Sequence, residues 1–458
     1  MRPLPEIFLQ SIKEVPGFDR TAFEAVHAGE EKVTSIRINP VKQPGIAAPF
    51  RIKNKVPWCA DGYYLQQRPS FTFDPLFHAG CYYVQEASSM FLEQAISQQA
   101  GKEAITVLDL CAAPGGKSTH IQSLLPEGSL LVSNEVIRNR SLSLMDNIIK
   151  WGASNVLVSN NDPSAFSRLP GYFDVMLVDA PCSGSGLFRR DPDAMDEWSL
   201  ANVQLCCQRQ KRILADALPA LATGGLLVYS TCSYSAEEDE SIADWLIEEM
   251  EMEPLQLEVE DSWNIVVSRS ANGAYGYRFY PDRLEGEGFF LGCFRKKNAN
   301  QGKPFRIEKP ERISAKEESI IRPWLRGEEF LLKEKEQYFL MPKEVLEAHL
   351  ALRSNLNILY KGTAVGQVMK DKLVPHHALA QSFSLAASIP RLELSFDQAV
   401  KYLQRQDLDL RTDTKGWHLV TYKDFGLGWA NLLSNRINNY YPKELRILKQ
   451  FNDNRFEK

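Results

Sequence analysis

The chain has 458 residues, of which 44% are hydrophobic and 24% charged, and its formal net charge is −5. Its length predicts two to four domains with an ample hydrophobic core, and its composition is that of a soluble globular protein. No apolar run is long enough to cross a bilayer, and the N-terminal stretch lacks the apolar core of a signal peptide. These features exclude a membrane-spanning protein and predict a cytoplasmic one.

Basic residues are concentrated in the last third of the chain. Residues 295–458 contain 29 Lys and Arg against 20 Asp and Glu, although the chain as a whole is acidic. This asymmetry favours nucleic-acid binding by the last third, and ordinary surface solvation is the alternative. The 8 cysteines form no C-x-x-C pair, so we predict neither a zinc ribbon nor a disulfide framework, and no bound metal.

The first part of the chain reads as a small α+β module. Residues 4–28 have helical periodicity with a break at Pro16-Gly17, and residues 34–40 alternate as a strand that ends at a proline. Residues 58–77 are rich in aromatic residues and broken by prolines, which predicts an irregular segment.

A glycine-rich turn follows a predicted strand at residues 107–111 and precedes a predicted helix from Ser118. Its free helical N–H groups and permissive backbone make a site for a nucleotide-like ligand. Gly116-Lys117-Ser118 is the second half of a phosphate-binding loop, and residues 174–179 imitate the acidic strand that holds magnesium in such NTPases. However, Cys111 stands where that loop requires its first glycine, so an NTPase is the alternative interpretation.

Strands and helices alternate from residue 107 onward, which predicts a parallel α/β sheet. The further strands are predicted at 129–135, 155–160, 174–179 and 224–233, with helices at 137–151 and 201–221, and closing strands near 275–281 and 288–295. Glu135 ends the second strand about 20 residues past the glycine turn, where a carboxylate can bind ribose hydroxyls. Helix capping is the alternative role for Glu135, and Arg140 on the next helix is placed to pair with it. The acidic helix predicted at 236–253 has a solvated face by default.

Two short motifs follow the fourth and fifth strands. The first is Asp179-Ala-Pro-Cys182-Ser-Gly, and the second is Thr231-Cys232-Ser233. Carboxyl ends of neighbouring parallel strands face one crevice, so Asp179, Cys182 and Cys232 are predicted to meet there. The other cysteines of this region, Cys206, Cys207 and Cys293, are predicted to be structural.

The last third is predicted to be rich in strands. Residues 330–342 and 357–374 alternate as strands, after a predicted linker at 301–304, and a final module begins near Leu394. In that module aromatic and basic residues alternate on short strands, which suits stacking on bases and contact with phosphates. Trp417 and Trp429, taken singly, are predicted to be core residues of a small barrel.

The sequence D-x-C-A-A-P-G-G-K at 109–117, together with the two cysteine motifs, resembles the RNA cytosine-5 methyltransferases of the NSUN and RsmB/RsmF family. The final module resembles the PUA-like domain of RsmF-type ribosomal RNA methyltransferases. The resemblance implies a Rossmann-like class I methyltransferase domain with a mostly parallel seven-stranded sheet. The domains that it implies are a ferredoxin-like RNA-contacting module (1–82), the methyltransferase domain (83–297), a first C-terminal module (305–390) and a PUA-like domain (391–458).

The resemblance also implies a cofactor, S-adenosyl-L-methionine. The residues implied to bind it are Cys111, Ala112, Ala113, Pro114, Gly115, Gly116, Lys117, Glu135, Arg140, Asp162 and Asp179. For Asp162 the family implies contact with the adenine, and a turn role next to Pro163 is the alternative. Gln85 and Ser88 either line this pocket or cap the helix that begins near Glu86.

By the family pattern, Cys232 is the nucleophile that adds to carbon 6 of cytosine and Cys182 assists release, although chemistry alone does not order the two thiols. Asp179 would bind the exocyclic amine or N3 of the base, and Lys117 would lower a cysteine pKa or hold Asp179.

The expected substrate is RNA, in particular 16S ribosomal RNA or the small ribosomal subunit, and the expected protein is a monomer. Transfer RNA is the alternative substrate, and an RNA-binding factor without catalysis is a further alternative. Arg37 on the first strand is either an RNA contact or an exposed strand arginine, and Arg189 and Arg190 are placed to contact RNA phosphates.

Overall fold

The computed structural model describes residues 3–29, 32–42, 50–297, 310–408, 410 and 414–450. The predicted linker at 301–304, and both ends of the chain beyond these ranges, lie outside the described residues. Within the described part, no helix combines the length and the apolar character needed to span a bilayer.

The N-terminal module is a four-stranded antiparallel sheet with short helices. Its elements are α1 (Glu6–Ser11), α2 (Arg20–Ala28), β1 (Ser35–Ile38), β2 (Ile52–Lys55), β3 (Gly62–Leu65), α3 (Pro75–His78), β4 (Tyr82–Tyr83) and α4 (Leu92–Gln99). The strand order is β2-β3-β1-β4. The predicted break at Pro16-Gly17 separates α1 from α2, whereas β3 and α3 lie in the segment predicted to be irregular.

Both interpretations of Arg37 were wrong, because this side chain is only 1% exposed. Its guanidinium lies 4.5 Å from the centre of the Trp151 ring and donates hydrogen bonds to Gln85 Oε1 (2.9 Å) and Thr119 Oγ1 (2.7 Å). The amide oxygen of Gln85 therefore binds Arg37 and caps no helix, while its place in the wall of the cofactor pocket stays a prediction. Capping is done by Glu86, whose carboxylate accepts from the backbone N–H groups of residues 88 and 89.

The central domain is built on one large sheet. Its elements are β5 (Thr106–Asp109), α5 (Gly116–Leu124), β6 (Leu130–Asn134), α6 (Arg138–Trp151), β7 (Val156–Ser159), β8 (Phe173–Asp179), α7 (Ala194–Glu197), α8 (Leu200–Ala217), β9 (Leu221–Thr231), α9 (Glu240–Glu248), β10 (Met252–Leu255), β11 (Val266–Arg269), β12 (Tyr275–Phe279) and β13 (Phe289–Lys296). The seven predicted strands lie in the order β7-β6-β5-β8-β9-β13-β12, and β13 is antiparallel to both neighbours. Two antiparallel strands that the sequence did not predict, β10 and β11, extend this sheet.

Alternate residues of the central strands pack on opposite faces of the sheet, as the two-residue period of a strand requires. Leu108 and Met176 belong to the apolar cluster under α8 and α9, whereas Val107 and Val175 belong to the cluster under α4, α5 and α6. The parallel strands β5, β8 and β9 therefore read as continuous apolar runs, and their carboxyl ends meet at one edge.

The C-terminal third contributes two further sheets and one strand of the central sheet. Its elements are α10 (Ala315–Ile321), β14 (Phe330–Glu334), β15 (Gln337–Met341), α11 (Lys343–Leu352), β16 (Ile358–Lys361), β17 (Thr363–Met369), β18 (Lys372–Pro375), α12 (His377–Gln381), β19 (Arg391–Glu393), α13 (Phe396–Leu403), β20 (Gly416–Tyr422), β21 (Phe425–Leu432) and β22 (Ile437–Asn439). The two sheets have the orders β14-β15-β17-β18 and β19-β20-β21-β22. Strand β16 pairs antiparallel with β7 and is the tenth strand of the central sheet. The segment predicted as a first C-terminal module is thus joined to the catalytic domain by backbone hydrogen bonds.

Candidate active site

The two motif cysteines converge at the carboxyl ends of β8 and β9. Asp179 at the end of β8 pairs in register with Ser230 near the end of β9, so the loops that follow these strands begin side by side. The Sγ atoms of Cys182 and Cys232 lie 3.0 Å apart, and both cysteines are free thiols. Both are only partly buried, so the pair is within reach of a ligand in the crevice.

The Cys182 thiol is a weaker acid than an ordinary cysteine. The hydrogen bond with Cys232, together with burial and the negative charge of Cys232, raises the pKa of the Cys182 thiol well above its usual range. The two sulfur atoms are close enough to act on one ligand in the crevice. A cysteine acts as a nucleophile through its thiolate.

Asp179 and Lys117 form an ion pair beside the cysteines. Lys117 Nζ lies 2.8 Å from Asp179 Oδ2, and the hydroxyl of Ser230 donates to Asp179 Oδ1 at 2.8 Å. Burial alone lowers the pKa of Lys117, but the charge of Asp179 and the hydrogen bond between them outweigh burial and raise it. The ammonium group also lies 5.3 Å from the centre of the Phe289 ring, so it is a fixed positive charge in this pocket.

Glu238 joins the two cysteine loops, a role that the sequence interpretation missed. Its carboxylate accepts hydrogen bonds from Ser183 N (2.8 Å) and Oγ (2.5 Å), next to Cys182, and from Ser233 Oγ (2.6 Å), next to Cys232. The predicted solvated face of the acidic helix was therefore wrong at its start, where Glu238 and Asp239 are fully buried. The signal available in the sequence was the position of Glu238, because residues that closely follow the motif at the end of β9 also lie near the crevice.

The glycine turn opens the N-terminus of α5 toward the crevice. Gly115 precedes the helix with a left-handed φ of +110°, and no side chain within the described ranges caps this helix end. A Cβ on Gly116 would lie 3.2 Å from the Tyr83 ring, so a larger residue would push into that wall. The first-turn N–H groups are therefore exposed to a bound anion or dipole.

Side chains from α6 hold the carbonyl groups of this turn. Arg140 Nη2 donates to Ala113 O at 2.8 Å, and Asn147 Nδ2 donates to Pro114 O at 2.9 Å. The backbone N–H of Ala112 donates to Asn134 O, while Cys111 packs against the apolar cluster under α8 and α9, and burial raises the pKa of its thiol. The predicted cofactor loop is thus held from both sides.

Glu135 is buried directly after β6, and its contact with a ribose stays a prediction. One carboxylate oxygen accepts from Ile137 N (2.9 Å), and the other lies 3.4 Å from Arg140 Nη1, so the predicted pairing with Arg140 is confirmed. Asp162 is exposed, and its Oδ1 accepts from Ser164 N and Oγ. These bonds lower the pKa of Asp162 and give it the turn role, while its contact with adenine stays a prediction.

One group of three possible metal ligands occurs in the part of the chain that the structure describes: Cys59, Glu93 and His120, all buried. His120 Nε2 lies 3.0 Å from Glu93 Oε2 and 3.7 Å from Cys59 Sγ, so this ring nitrogen already has partners among the three side chains. Burial and the nearby charge of Arg37 lower the pKa of His120 to about 4. The same arginine charge disfavours a cation at this position.

The fold and this site together define a Rossmann-like methyltransferase that depends on S-adenosylmethionine. Three family models match the chain: 16S rRNA methyltransferase RsmB/F at residues 97–295, the N-terminal domain of 16S rRNA methyltransferase RsmF at 4–87, and the methyltransferase RsmF PUA domain at 390–447. The chain belongs to the RsmB/RsmF family of RNA methyltransferases, which contradicts the NTPase alternative.

Similar proteins support the same assignment. The ribosomal RNA small subunit methyltransferase F of Vibrio parahaemolyticus is 30% identical over 96% of this chain and 97% of its own length. The protein of that name from Shewanella sediminis is 30% identical over 97% of each chain. Among solved structures, a methyltransferase homologue from Pyrococcus horikoshii is 27% identical with a TM-score of 0.53, over 64% of this chain and 95% of that one. NSun6 from the same organism, solved with SFG, has a TM-score of 0.53 at 19% identity over 64% of this chain and 98% of that one, a likeness of fold.

The residues at the crevice fit S-adenosylmethionine. The uncapped N–H groups of α5 suit its carboxylate, and buried Glu135 suits a ribose. Asp109 at the end of β5 adds a further polar group, because its Oδ1 has no partner among the residues described, while Ser118 Oγ donates to its Oδ2 at 2.6 Å. Burial raises the pKa of Asp109 to about 7.

Proposed function

We propose that this protein methylates carbon 5 of a cytosine in 16S ribosomal RNA through a covalent bond between Cys232 and carbon 6. The observation that carries the proposal is the pair of free thiols 3.0 Å apart, beside the ion pair of Asp179 and Lys117. Carbon 5 of cytosine is a poor nucleophile, and addition of a thiolate to carbon 6 moves electron density onto carbon 5. The names of the similar proteins favour small-subunit ribosomal RNA over transfer RNA as the substrate.

The first half of the reaction uses Cys232 and Asp179. The Cys232 thiolate adds to carbon 6, and the electron pair displaced from the C5–C6 double bond is drawn to carbon 5. Asp179, held by Lys117 and Ser230, hydrogen-bonds the polar edge of the base and fixes its orientation. S-adenosylmethionine supplies the methyl group that carbon 5 takes.

The second half of the reaction uses Cys182. Once Cys232 is a thioether, its hydrogen bond to Cys182 and its negative charge are gone, and these are two of the causes that raise the pKa of Cys182. Cys182 then releases its proton to solvent and takes the proton from carbon 5. The electron pair restores the C5–C6 double bond and expels Cys232 as a thiolate. Cys232 is thus the nucleophile in the first half and the leaving group in the second, and Cys182 is the base in the second half.

RNA contact by the terminal modules is part of this proposal. In the last module Trp429 is a core residue, whereas Tyr440 is 44% exposed and packs edge-on against Trp417 with ring centres 4.5 Å apart. An exposed aromatic ring held in this way is a platform for base stacking.

Substitution of each cysteine tests the chemistry. Cys232→Ala should abolish methylation and form no adduct, whereas Cys182→Ala should accumulate a protein–RNA adduct visible on a denaturing gel. Cys207→Ala, on α8 and outside the crevice, is the control and should behave as wild type. Adduct with Cys232→Ala and none with Cys182→Ala would reverse the assigned roles. Bisulfite sequencing of ribosomal RNA from cells with and without the protein identifies the base.

A further inference from the structure

A cavity of about 320 Å³ lies between the N-terminal module and the catalytic domain. Its walls come from the stretch before β1, from residues 84–86 and from the loops around Arg190 and Glu287. The catalytic groups Cys182, Cys232, Asp179 and Lys117 do not line it. These lining residues separate the cavity from the crevice, and its volume is large enough for one further nucleotide of an RNA strand.

Two residues that line this cavity each contain a buried oxygen without a hydrogen-bond partner. Thr34 is 6% exposed and Glu287 is 8% exposed, and both side chains line the cavity. Neither Thr34 Oγ1 nor Glu287 Oε2 has a hydrogen-bond partner among the residues that the structure describes. Glu287 Oε2 lies 3.9 Å from Arg189 Nη1, beyond hydrogen-bond distance. Buried polar atoms nearly always have partners, so two unpartnered oxygens in residues that line one cavity indicate a site for a polar ligand.

The rim of the cavity is basic. Three exposed basic residues line it and can bind a phosphate, namely Lys32, Arg68 and Arg190. Arg68 also lies 5.5 Å from the centre of the Phe71 ring, which holds its stem in place. Positive charges at the rim and acceptor oxygens at depth match the two ends of a nucleotide, an anionic phosphate and a base with N–H donors.

The cavity borders the catalytic crevice on two sides. Gly288, next to Glu287, donates through its N–H to Gly186 O (3.3 Å), and Gly186 N donates to Cys232 O (2.8 Å). On the other side Gln85 lies close to the cofactor turn, since a Cβ on Gly116 would be 3.8 Å from Gln85 Cδ. A nucleotide in the cavity would therefore be a close neighbour of the base at Cys232.

We propose that this cavity is a specificity subsite that takes a nucleotide flanking the target cytosine, with Glu287 and Thr34 accepting hydrogen bonds from amino or imino groups of its base and Lys32, Arg68 and Arg190 holding its phosphate. The inference that this subsite lies next to the target cytosine rests on the RNA methylation chemistry proposed above. It makes sequence context, and not only the target base, part of recognition.

Binding of short RNAs to the full-length protein tests this subsite without requiring catalysis. Fluorescein-labelled heptaribonucleotides would carry one cytosine in a uridine background. In the first set, one position next to the cytosine would be either adenosine or purine riboside, which lacks the amino group of adenosine. In the second set, the same position would be either guanosine or inosine, which lacks the amino group of guanosine. Wild type should bind the amino-bearing RNA of at least one pair roughly tenfold more tightly than its partner. Free nucleoside monophosphate as a competitor separates binding of RNA from binding of a lone nucleotide.

Variants then assign the preference to the cavity. Glu287→Met, which keeps side-chain length without oxygens, and the isosteric Thr34→Val should each reduce the ratio of affinities, while Glu287→Gln, which keeps an acceptor, should retain part of it. Arg68→Ala should weaken both RNAs equally and lower the salt slope by about one. Lys102→Ala, an exposed cation before β5 at the opposite edge of the sheet, should match wild type.

Equal affinities of wild type within both pairs at every flanking position, or an unchanged ratio in Glu287→Met, would overturn the subsite. Tighter competition by the monophosphate than by the RNA would also overturn it. These outcomes are independent of the methylation test. If the ratio of affinities falls in Glu287→Met but the methylation test finds no 5-methylcytosine, the subsite is retained and the proposed chemistry is refuted. If 5-methylcytosine forms but the ratio does not change, the chemistry is retained and the subsite is refuted.

Discussion

Glu238→Ala removes the acceptor that joins the two cysteine loops. In the wild type its Oε1 accepts from Ser183 N (2.8 Å) and Gln210 Nε2 (3.2 Å), and its Oε2 accepts from the hydroxyls of Ser183 and Ser233. Hydrogen bonds to a charged group contribute about 1.5–3 kcal/mol each, and breaking a buried charged network costs about 3–5 kcal/mol. Burial raises the pKa of Glu238, so desolvation offsets part of this gain. We therefore expect the free energy of unfolding to fall by about 3 kcal/mol.

Glu238→Gln separates hydrogen bonding from charge. An amide oxygen at the Oε1 position keeps the bonds from Ser183 N and Gln210, and the two serine hydroxyls can rotate to accept from the amide nitrogen. We expect a loss of about 1 kcal/mol. Urea denaturation followed by intrinsic fluorescence measures both values. Glu237→Ala is the control, because this neighbour is only half-buried, and it should change stability by about 0.5 kcal/mol or less.

The same substitutions should act on catalysis through the geometry of the thiols. A displacement of about 1 Å in a reacting group costs roughly 10²-fold in rate, so single-turnover methylation by Glu238→Ala should fall by about that factor. Glu238→Gln should lose less than tenfold. If Glu238→Ala is no less stable and no slower than Glu237→Ala, or if the glutamine variant is as impaired as the alanine variant, Glu238 does not position the two loops.

Three further changes test other parts of the site. Gly186→Ala would place a Cβ within 3.0 Å of the carbonyl oxygens of Gly288 and Cys232, so methylation should fall at least tenfold. Gly184→Ala is the control, because a Cβ there would have nothing within 4 Å, and it should lose only about 1 kcal/mol of stability from its positive φ. Glu135→Gln should weaken S-adenosylmethionine binding about tenfold by calorimetry, and exposed Arg138→Ala should not. Because burial raises the pKa of Asp109 from 3.8 to about 7, the folded state holds a proton that the unfolded state has lost between those pH values. Stability should therefore fall by up to about 4 kcal/mol as the pH rises from 4 to 7, and an Asp109→Asn variant with the same slope as wild type would refute this.

The parallel core and its crevice could be predicted from the sequence because local signals and tertiary structure agree there. The runs that form β5, β8 and β9 are apolar on both faces and end at motif residues, so strand direction alone brings Asp179, Cys182 and Cys232 together. The same logic predicts Glu135 at the end of β6. These predictions depend on the period of the pattern and on chain direction, and not on any distant partner.

The features that could not be predicted depend on distant partners. Arg37 reads as a strand arginine, but its partners Gln85 and Thr119 are 48 and 82 residues away in the chain. Strand β16 is separated from its partner β7 by about 200 residues, and only three paired positions hold it there. Glu238 lies in an acidic run whose composition indicates solvation, and its burial follows from serines on two loops that only the folded sheet brings together.

Arg37 links the N-terminal module directly to the candidate active site. Its guanidinium donates to Thr119 Oγ1 and to Gly116 O (3.3 Å), so it holds the first turn of α5, on which Lys117 is placed to reach Asp179. The burial of this arginine is offset by these bonds and by the Trp151 ring. Removal of the module would expose that turn, remove Thr34 and leave Gln85 without its partner Arg37. The cofactor loop, the cysteine crevice and the flanking cavity therefore depend on one interface, and a catalytic domain that lacked it would lose all three together.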